Sequence, residues 1–275
     1  MPLGRERKGE RAMMTPSEFR NEPLSDFAAA PSRQAMEAAL RSVGAQLGRE
    51  FPLLIGGRAI RAEETFRSLN PSQADQVVGV VHQAGTREME AAVEAALQAY
   101  ESWRWVPAEE RAALLMRAAD NLRRRRLEAA AWMVFEVGKN WAEADGDVAE
   151  AIDFAEYYAR EILRYAPGRP LPPAPGEMSE YQHIPLGVVA VISPWNFPVA
   201  IPAGMAFGAI VSGNTVVMKP ASDSAATTYL IAEALADAGL PPGVLNLIAG
   251  PGGTIGEGLV THPKVRMIAF TGSRE

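Results

Sequence analysis

The sequence GVVAVISPWNFP, residues 187–198, places an uninterrupted apolar run directly before a turn rich in serine, proline and aromatic residues. Three more short apolar runs follow it, at TVVMK (215–219), VLNLI (244–248) and RMIAF (266–270). A segment of helical length separates each run from the next. Short apolar runs that alternate with helices are typical of βαβ units, so the sequence predicts an α/β fold with a parallel sheet and flanking helices.

Each of these predicted strands is followed by residues suited to ligand binding. The four strand tips are SPWNFP (193–198), KPASD (219–223), AGPGGTIGEG (249–258) and TGSRE (271–275). Ligands of open parallel sheets bind beyond the carboxyl ends of the strands. The four tips are therefore the predicted binding edge.

Taken singly, the tips leave alternatives open. Gly250 and Gly252 fit a dinucleotide-binding pattern, but Ile255 occupies its third glycine position, so a phosphate cradle and a tight turn are equally compatible. Lys219 suits contact with a ribose or phosphate, although a lone lysine at a sheet edge more often extends to solvent. Asn196 suits stabilisation of an oxyanion, although turn and capping asparagines are commoner.

The distribution of charge and proline predicts four regions. Charged residues concentrate before residue 176, which indicates helices there and a buried sheet later. Five prolines in 166–177 argue against a core strand in that segment. We predict a disordered extension over 1–13, a helical part over 14–165, a proline-rich segment over 166–186 and a strand-rich core over 187–275.

Local signals predict individual elements within the helical part. Two helices are predicted over 31–47 and 148–165. Two more are predicted to begin at Thr86 and at Pro107, and a fifth is predicted to end at Gly138 in a left-handed cap. PLLIGGRAI (52–60) predicts two short strands joined by a Gly-Gly turn.

Composition excludes several classes of function. With 27 basic and 33 acidic residues, the net charge of −6 argues against nucleic-acid binding. The sequence has no cysteine, which excludes disulfides, thiolate metal sites and a thiol nucleophile supplied by this chain. No apolar run is long enough to span a bilayer, and the basic start lacks a secretory apolar stretch, so we expect no membrane partner and a cytoplasmic protein.

Two charged runs and the histidines offer weaker candidates. His82, His183 and His262 are far apart, so no metal site is predicted. The acidic run 143–154 lacks the EF-hand pattern and is predicted to form a helix face. The four arginines 123–126 are predicted to end an exposed helix.

Together, PWNFP, KPAS, GPGGTIG and FTGS, in this order and spacing, resemble the aldehyde dehydrogenase superfamily. The resemblance runs from about Pro23 to the end of the chain. Within the superfamily, one branch is similar to this chain at EPLSDF (22–27), over the segment 138–161 and at IVSGNTVVMKPASD (210–223). Enzymes of that branch act in proline degradation. They use NAD to oxidise L-glutamate γ-semialdehyde, the open form of 1-pyrroline-5-carboxylate, to L-glutamate.

The resemblance implies a Rossmann-like cofactor-binding domain and a small-molecule aldehyde substrate. It also implies that 166–186 forms the first strands of a β-flap through which family members assemble as homo-oligomers. No metal is implied.

The resemblance also assigns residues. Asn196 matches the side-chain amide of the family's oxyanion hole, and Glu150 and Phe197 resemble positions around the aldehyde chain. Ser222 stands where many relatives carry a glutamate that binds both ribose hydroxyls, so use of NADP is left open. The positions that match cofactor-binding residues are Ile192, Ser193, Pro194, Trp195, Lys219, Ser222, Gly252, Gly256 and Ser273.

One departure from the family decides what is expected of the chain alone. The family's mechanism needs a cysteine thiolate and a glutamate base, and both follow FTGS. The chain resembles the N-terminal half only, so we expect the catalytic domain to be absent and strand 266–270 to have an open edge. For the same reason we expect the isolated chain to be poorly soluble and inactive. A second chain that completes the fold is one alternative; the others are a non-catalytic nucleotide-binding scaffold and the same half of another aldehyde dehydrogenase branch.

Overall fold

The computed structural model describes residues 18–273, so the predicted extension at 1–13 lies outside the described residues. The helices are α1 (Ala30–Gly44), α2 (Thr86–Trp103), α3 (Ala108–Arg124), α4 (Arg126–Val137), α5 (Trp141–Tyr165), α6 (Ala200–Val211), α7 (Ala225–Asp237) and α8 (Glu257–Thr261). The strands are β1 (Arg49–Phe51), β2 (Leu53–Ile55), β3 (Arg58–Ile60), β4 (Thr65–Asn70), β5 (Gln73–His82), β6 (Val188–Ile192), β7 (Thr215–Lys219), β8 (Leu245–Leu247) and β9 (Val265–Phe270). Within the described residues, five strands follow α1, four helices follow these strands, and strands and helices alternate from β6 onward.

The four predicted strands of the core lie side by side in one sheet, which confirms the predicted α/β fold. The six-stranded sheet has the order β3-β2-β8-β7-β6-β9, and β6 to β9 are mutually parallel. Strand β6 lies between β7 and β9, so the chain leaves β6 toward one side of the sheet and returns to its other side in β9. A crevice at such a reversal is where α/β sheets bind ligands.

Alternate residues of β6 enter two apolar clusters on opposite faces of the sheet. Val188 and Ala190 pack with α2 and α8, and Val189 and Val191 pack with the cluster that contains α3, α5 and α6. Both faces are covered, which explains why the sequence of β6 is continuously apolar rather than alternating.

The region 14–165 is not wholly helical, which corrects the sequence prediction. The strand–turn–strand prediction at 52–60 is confirmed, because β2 and β3 pair antiparallel across Gly56 and Gly57, both with positive φ. Strands β1, β5 and β4 form a second, three-stranded sheet that the sequence pattern did not indicate. Since β2 also pairs with β8, the N-terminal region contributes two strands to the main sheet.

The segment 166–186 contains no strand in the structure, in contrast to the predicted flap strands. Its six prolines lack the N–H groups that a ladder needs. The segment instead folds back on itself through side chains: the rings of Tyr181 and His183 meet edge to face at 5.1 Å, and the Arg169 guanidinium lies 5.9 Å from the Tyr181 ring centroid. A role of this segment in oligomerisation stays a prediction.

Arg123 and Arg124 end α3, as the sequence predicted, but the end of this helix is only partly exposed, which corrects the rest of that prediction. At the junction of α3 and α4, the partly buried Arg123, Arg125 and Arg126 are ion-paired. Arg126 donates from Nε and Nη2 to the two oxygens of buried Asp145, at 2.6 Å each. Asp145 also accepts from the amide and hydroxyl of Ser25, so the junction fixes the extended segment that precedes α1.

Strand β9 is an open edge of the main sheet, as the sequence predicted. Met267, Ile268 and Phe270 on it are 43%, 41% and 58% exposed. No helix between residues 18 and 273 combines the length and apolarity needed to cross a membrane.

Candidate functional site

The tips of β6, β7 and β9 are held side by side by the register of the sheet. Ile192 pairs with Lys219 on one side and with Phe270 on the other. The Ser193 amide donates to the Lys219 carbonyl at 3.2 Å, and the Thr271 amide donates to the Ile192 carbonyl at 3.1 Å. The structure therefore brings the predicted residues 192–195, Lys219 and the chain before Ser273 to one edge.

Lys219 is a buried cation without a carboxylate partner among the described residues. It is 6% exposed, and its ammonium group donates only to the Pro220 carbonyl, at 3.2 Å. Burial lowers the pKa of Lys219. A Cβ added at Gly256 would lie 3.9 Å from the Lys219 side chain, so the two predicted residues adjoin each other.

Two polar groups near Lys219 are also available to a ligand. The hydroxyl of Ser193 is buried and has no hydrogen-bond partner among residues 18–273. Ser222 is exposed at the start of a single 3₁₀ turn, Ser222–Ser224. A cavity of about 360 Å³ lies between Trp195 and Ser222, with Glu136 also in its wall. A buried cation and an unpaired buried hydroxyl at neighbouring strand tips suit a ligand that carries hydroxyl or phosphate groups.

The glycine-rich tip forms one turn of π-helix, Gly252–Gly256, before α8. Ile255, at the third glycine position of the sequence pattern, is fully buried. The amides of Thr254 and Ile255 both donate to the Pro251 carbonyl. Because these amides are used within the turn, the geometry favours a tight strand-to-helix turn over a phosphate cradle at those two groups.

Asn196 lies exposed in the turn between β6 and α6, with exposed Trp195 and Phe197 on either side. The ammonium group of Lys139 lies 3.9 Å from the Phe197 ring centroid. Lys139 also donates to Oδ2 of Asp147 at 2.6 Å. Sequence reasoning singled out neither Lys139 nor Asp147.

Asp147 is buried, which corrects the prediction that the acidic run 143–154 is simply a helix face. Its Oδ1 accepts from the Ala200 amide, the first residue of α6, at 2.6 Å. Burial raises the pKa of Asp147, while Lys139 acts in the opposite direction. The sequence signal that could have indicated this role is Lys139 between the Gly138 cap and the Asn140 helix start.

Glu150 is exposed on α5, three residues after Asp147. Partial burial and the neighbouring charge of Asp147 raise the pKa of Glu150, and the charge of Lys139 opposes them. Glu150 and Phe197, the two predicted substrate residues, are therefore both neighbours of Lys139.

Glu136 is a further residue that sequence reasoning missed. It is 3% exposed and accepts from the Ser68 hydroxyl at 2.8 Å. It also accepts from the amides of Ala226 at 3.0 Å and Thr227 at 2.6 Å, at the start of α7. Glu136 thus fixes the helix that follows the tip carrying Ser222.

A larger cavity, of about 860 Å³, lies between Arg111, Tyr165 and the segment 183–186, and none of the predicted site residues lines it. No cluster of three or more histidine, aspartate or glutamate side chains within residues 18–273 is arranged to hold a metal ion.

The aldehyde dehydrogenase family model matches residues 59–275, which is most of the chain. The chain belongs to the aldehyde dehydrogenase family. This confirms the resemblance seen in the four strand tips.

Relatives with known names agree on one branch of this family. The chain is 49% identical over 257 residues to 1-pyrroline-5-carboxylate dehydrogenase of Geobacillus thermodenitrificans, covering 94% of this chain and 50% of the relative. It is 48% identical over 263 residues to the enzyme of the same name from Bacillus pumilus, covering 96% and 51%. The chain thus spans about half the length of the curated relatives that it matches.

Solved structures show the same similarity. A mutant of Thermus thermophilus 1-pyrroline-5-carboxylate dehydrogenase superposes with a TM-score of 0.93 at 50% identity, covering 94% of this chain and 51% of that one. A Thermus enzyme of the same name with bound NAD gives a TM-score of 0.91 at 49% identity, with 93% and 50% covered.

Proposed function

We propose that this chain forms the cofactor-binding half of an NAD(P)-dependent aldehyde dehydrogenase that oxidises L-glutamate γ-semialdehyde to L-glutamate in proline degradation. The observation that carries the proposal is the group formed by Lys219, Ser193 and Gly256 at the reversal of the sheet. The relatives named 1-pyrroline-5-carboxylate dehydrogenase, one of them with bound NAD, support the substrate and the cofactor.

The residues present fit a nicotinamide dinucleotide. Lys219 is a buried cation whose one hydrogen bond goes to a neighbouring carbonyl, so ribose hydroxyls would supply acceptors that the protein does not. Gly256 places no side chain against the Lys219 side chain, where a Cβ would lie at 3.9 Å. Ser222, which carries no charge, would not repel a 2′-phosphate, so the site admits NADP as well as NAD.

In this proposal each side chain has a defined task. A nicotinamide dinucleotide, when bound, would supply the hydride acceptor for oxidation of the aldehyde. The Asn196 amide donates a hydrogen bond to the aldehyde oxygen as negative charge develops on it, an effect of about 3 kcal/mol for one oxyanion donor. Glu150 and Phe197 lie along the aldehyde chain. Since the 275 residues contain no cysteine, the thiol nucleophile comes from outside them. The segment 166–186 contributes to assembly of a homo-oligomer in this proposal.

Cofactor binding by the chain tests the proposal directly. We expect NAD to bind the purified chain in isothermal titration, and Lys219→Met to weaken binding about tenfold, or ~1.4 kcal/mol. The matched control is Lys264→Met, since Lys264 is an exposed lysine paired with Glu94 and directly precedes β9, at the opposite end of that strand from its tip. Ser222→Glu is expected to weaken NADP binding more than NAD binding, because it places a carboxylate near the 2′-phosphate.

Two results would contradict the proposal. One is a folded chain, by circular dichroism, that binds neither NAD nor NADP. The other is equal NAD affinity of Lys219→Met and Lys264→Met. Formation of reduced cofactor by the chain alone from the semialdehyde would refute the external nucleophile.

A further inference from the structure

The turn that carries Asn196 is fixed at both of its ends, but by different means. At its start, the Ser193 amide donates to the Lys219 carbonyl, so the sheet sets this end. At its far end, the Ala200 amide donates to Oδ1 of Asp147 at 2.6 Å. Asn196 lies between these two points, and its own side chain is exposed.

The far end of the turn depends on a charged pair from another part of the chain. Lys139 and Asp147 are 2.6 Å apart, and their side chains are 11% and 0% exposed. Lys139 lies in the short link between α4 and α5, and Asp147 lies in the second turn of α5. An ion pair removed from water in this way is strong only when its remaining hydrogen-bonding groups are also satisfied. For Asp147 the Ala200 amide satisfies that condition.

Lys139 makes a second contact with the same turn. Its ammonium group lies 3.9 Å from the centroid of the Phe197 ring, within the range of a cation–π interaction. One side chain therefore contacts Phe197 directly and Ala200 through Asp147. These two positions follow Asn196 by one and four residues, so movement of Lys139 would move the turn as a unit.

We propose that Lys139 and Asp147 are positioning residues of the aldehyde site, which fix the Asn196 turn through Phe197 and the first amide of α6. The catalytic meaning of this pair rests on the proposed function, because Asn196 is the oxyanion donor only there. The geometry of the pair does not depend on that assignment. Both residues act through the turn and neither is placed in contact with the reacting atoms.

Glu136 provides a matched control on the neighbouring turn. It is a buried carboxylate that accepts from the first amides of α7, at Ala226 and Thr227, and within residues 18–273 it has no hydrogen bond with the turn 193–200. Removal of either carboxylate lowers stability, so stability alone would not distinguish a positioning role. A signal from the Asn196 turn itself does so.

The experiment uses the 275-residue chain labelled with 5-fluorotryptophan. Trp195 adjoins Asn196, and its ¹⁹F resonance is assigned among the five tryptophans by Trp195→Phe. The original chain is compared with four variants by ¹⁹F NMR and by amide hydrogen exchange at Ala200 and Thr227. The variants are Lys139→Met, Asp147→Asn, Lys139→Arg and Glu136→Gln. No cofactor is added, so failure of the proposed cofactor binding leaves these readouts intact.

We expect Lys139→Met and Asp147→Asn to shift or split the Trp195 resonance and to speed exchange at Ala200 about tenfold or more, through local opening. Lys139→Arg, which keeps the charge and can still stack on Phe197, should restore both signals to near their original values. Glu136→Gln should speed exchange at Thr227 and leave exchange at Ala200 unchanged.

The proposal is overturned if the Trp195 resonance and Ala200 exchange are unchanged in both Lys139→Met and Asp147→Asn. It is equally overturned if Glu136→Gln speeds exchange at Ala200 to the same extent, because the effect is then general loosening. If Asp147→Asn fails to fold, Lys139→Met and its arginine counterpart decide the outcome alone.

Discussion

The turns after β6 and β7 are both fixed by a buried carboxylate at the start of the following helix, yet the two carboxylates are neutralised differently. Asp147 bonds the first amide of α6 and pairs with the ammonium group of Lys139. Glu136 bonds two amides at the start of α7 and otherwise only the Ser68 hydroxyl. The comparison shows that one task, holding a helix N-terminus beside a strand tip, is met with a cation in one case and with neutral donors in the other.

The difference has an electrostatic consequence. Burial raises the pKa of both carboxyls, but for Asp147 the Lys139 charge works against that rise. For Glu136 only hydrogen bonds, from Ser68, Ala226 and Thr227, oppose it. The positive end of α7 also favours a negative charge there. Stability that depends on Glu136 is therefore more sensitive to pH, and stability that depends on Asp147 is more sensitive to loss of its partner.

The largest expected effect is that of Lys139→Met. The substitution leaves the Asp147 carboxylate buried without its cation, which costs about 3–5 kcal/mol when one member of a buried pair is removed. We expect a corresponding fall in the free energy of unfolding, measured by urea denaturation. Loss of the contact with Phe197 adds to the effect in the same direction.

The control for this prediction is a double-mutant cycle. In an Asp147→Asn background no buried charge remains to be paired, so Lys139→Met should cost much less than it does in the original sequence. Equal costs in the two backgrounds would show that Lys139 stabilises the chain through packing, and the contrast between the two carboxylates would then fail.

Glu136→Gln is expected to have a smaller effect, about 1–3 kcal/mol, because an amide retains one acceptor oxygen but leaves a buried amide donor unsatisfied. Its effect should depend on pH. Since the folded-state pKa of Glu136 is raised above 4.5, folding favours the protonated carboxyl, and stability from this group is full below pH 4.5. That stability is lost as the pH rises through the folded-state pKa.

The difference in stability between the original chain and Glu136→Gln, followed against pH, reports the titration of Glu136 alone. The original chain should lose stability relative to Glu136→Gln as the pH is raised from about 4.5. Urea midpoints measured across that range give the difference directly. A constant difference at every pH would mean that Glu136 has the same pKa in the folded and unfolded chains.

The sequence predicted the strand tips better than the groups that fix them, for a physical reason. Continuous apolar runs mark β6 to β9, and the carboxyl ends of parallel strands meet at one edge, so the positions of Asn196, Lys219 and Ser222 followed from local pattern. Asp147 and Glu136 bond amides that lie 53 and 90 residues away along the chain. No local pattern reports such a contact, and a buried aspartate in an acidic helix has the same sequence signature as an exposed one.

The same reasoning applies to segments where local signals conflict. In 166–186 the resemblance predicted strands, but prolines remove the ladder donors and the segment is irregular. For the run 123–126 the local pattern predicted arginine side chains at the exposed end of a helix. Three of them form ion pairs, with Glu22, Asp145 and Glu233, that are distant in sequence and could be known only from the fold. Gly138, in contrast, was predicted correctly as a left-handed cap, because its φ of 68° is a requirement of the local backbone.

The smallest expected effect comes from the residue next to Lys139. Asn140 is the N-cap of α5, and its side-chain oxygen accepts from the Glu143 amide at 3.0 Å. Asn140→Ala should lower the free energy of unfolding by about 1 kcal/mol, the usual cost of losing such a cap. Asn140→Asp, which keeps the acceptor and adds a negative charge at the helix start, should match the original chain or exceed its stability. Because Asn140 and Lys139 are adjacent in sequence, a cost for Asn140→Ala as large as that for Lys139→Met would show that the whole junction between α4 and α5 unfolds together. A cost near 1 kcal/mol instead assigns the larger loss to the ion pair with Asp147, and thus to the turn that carries Asn196.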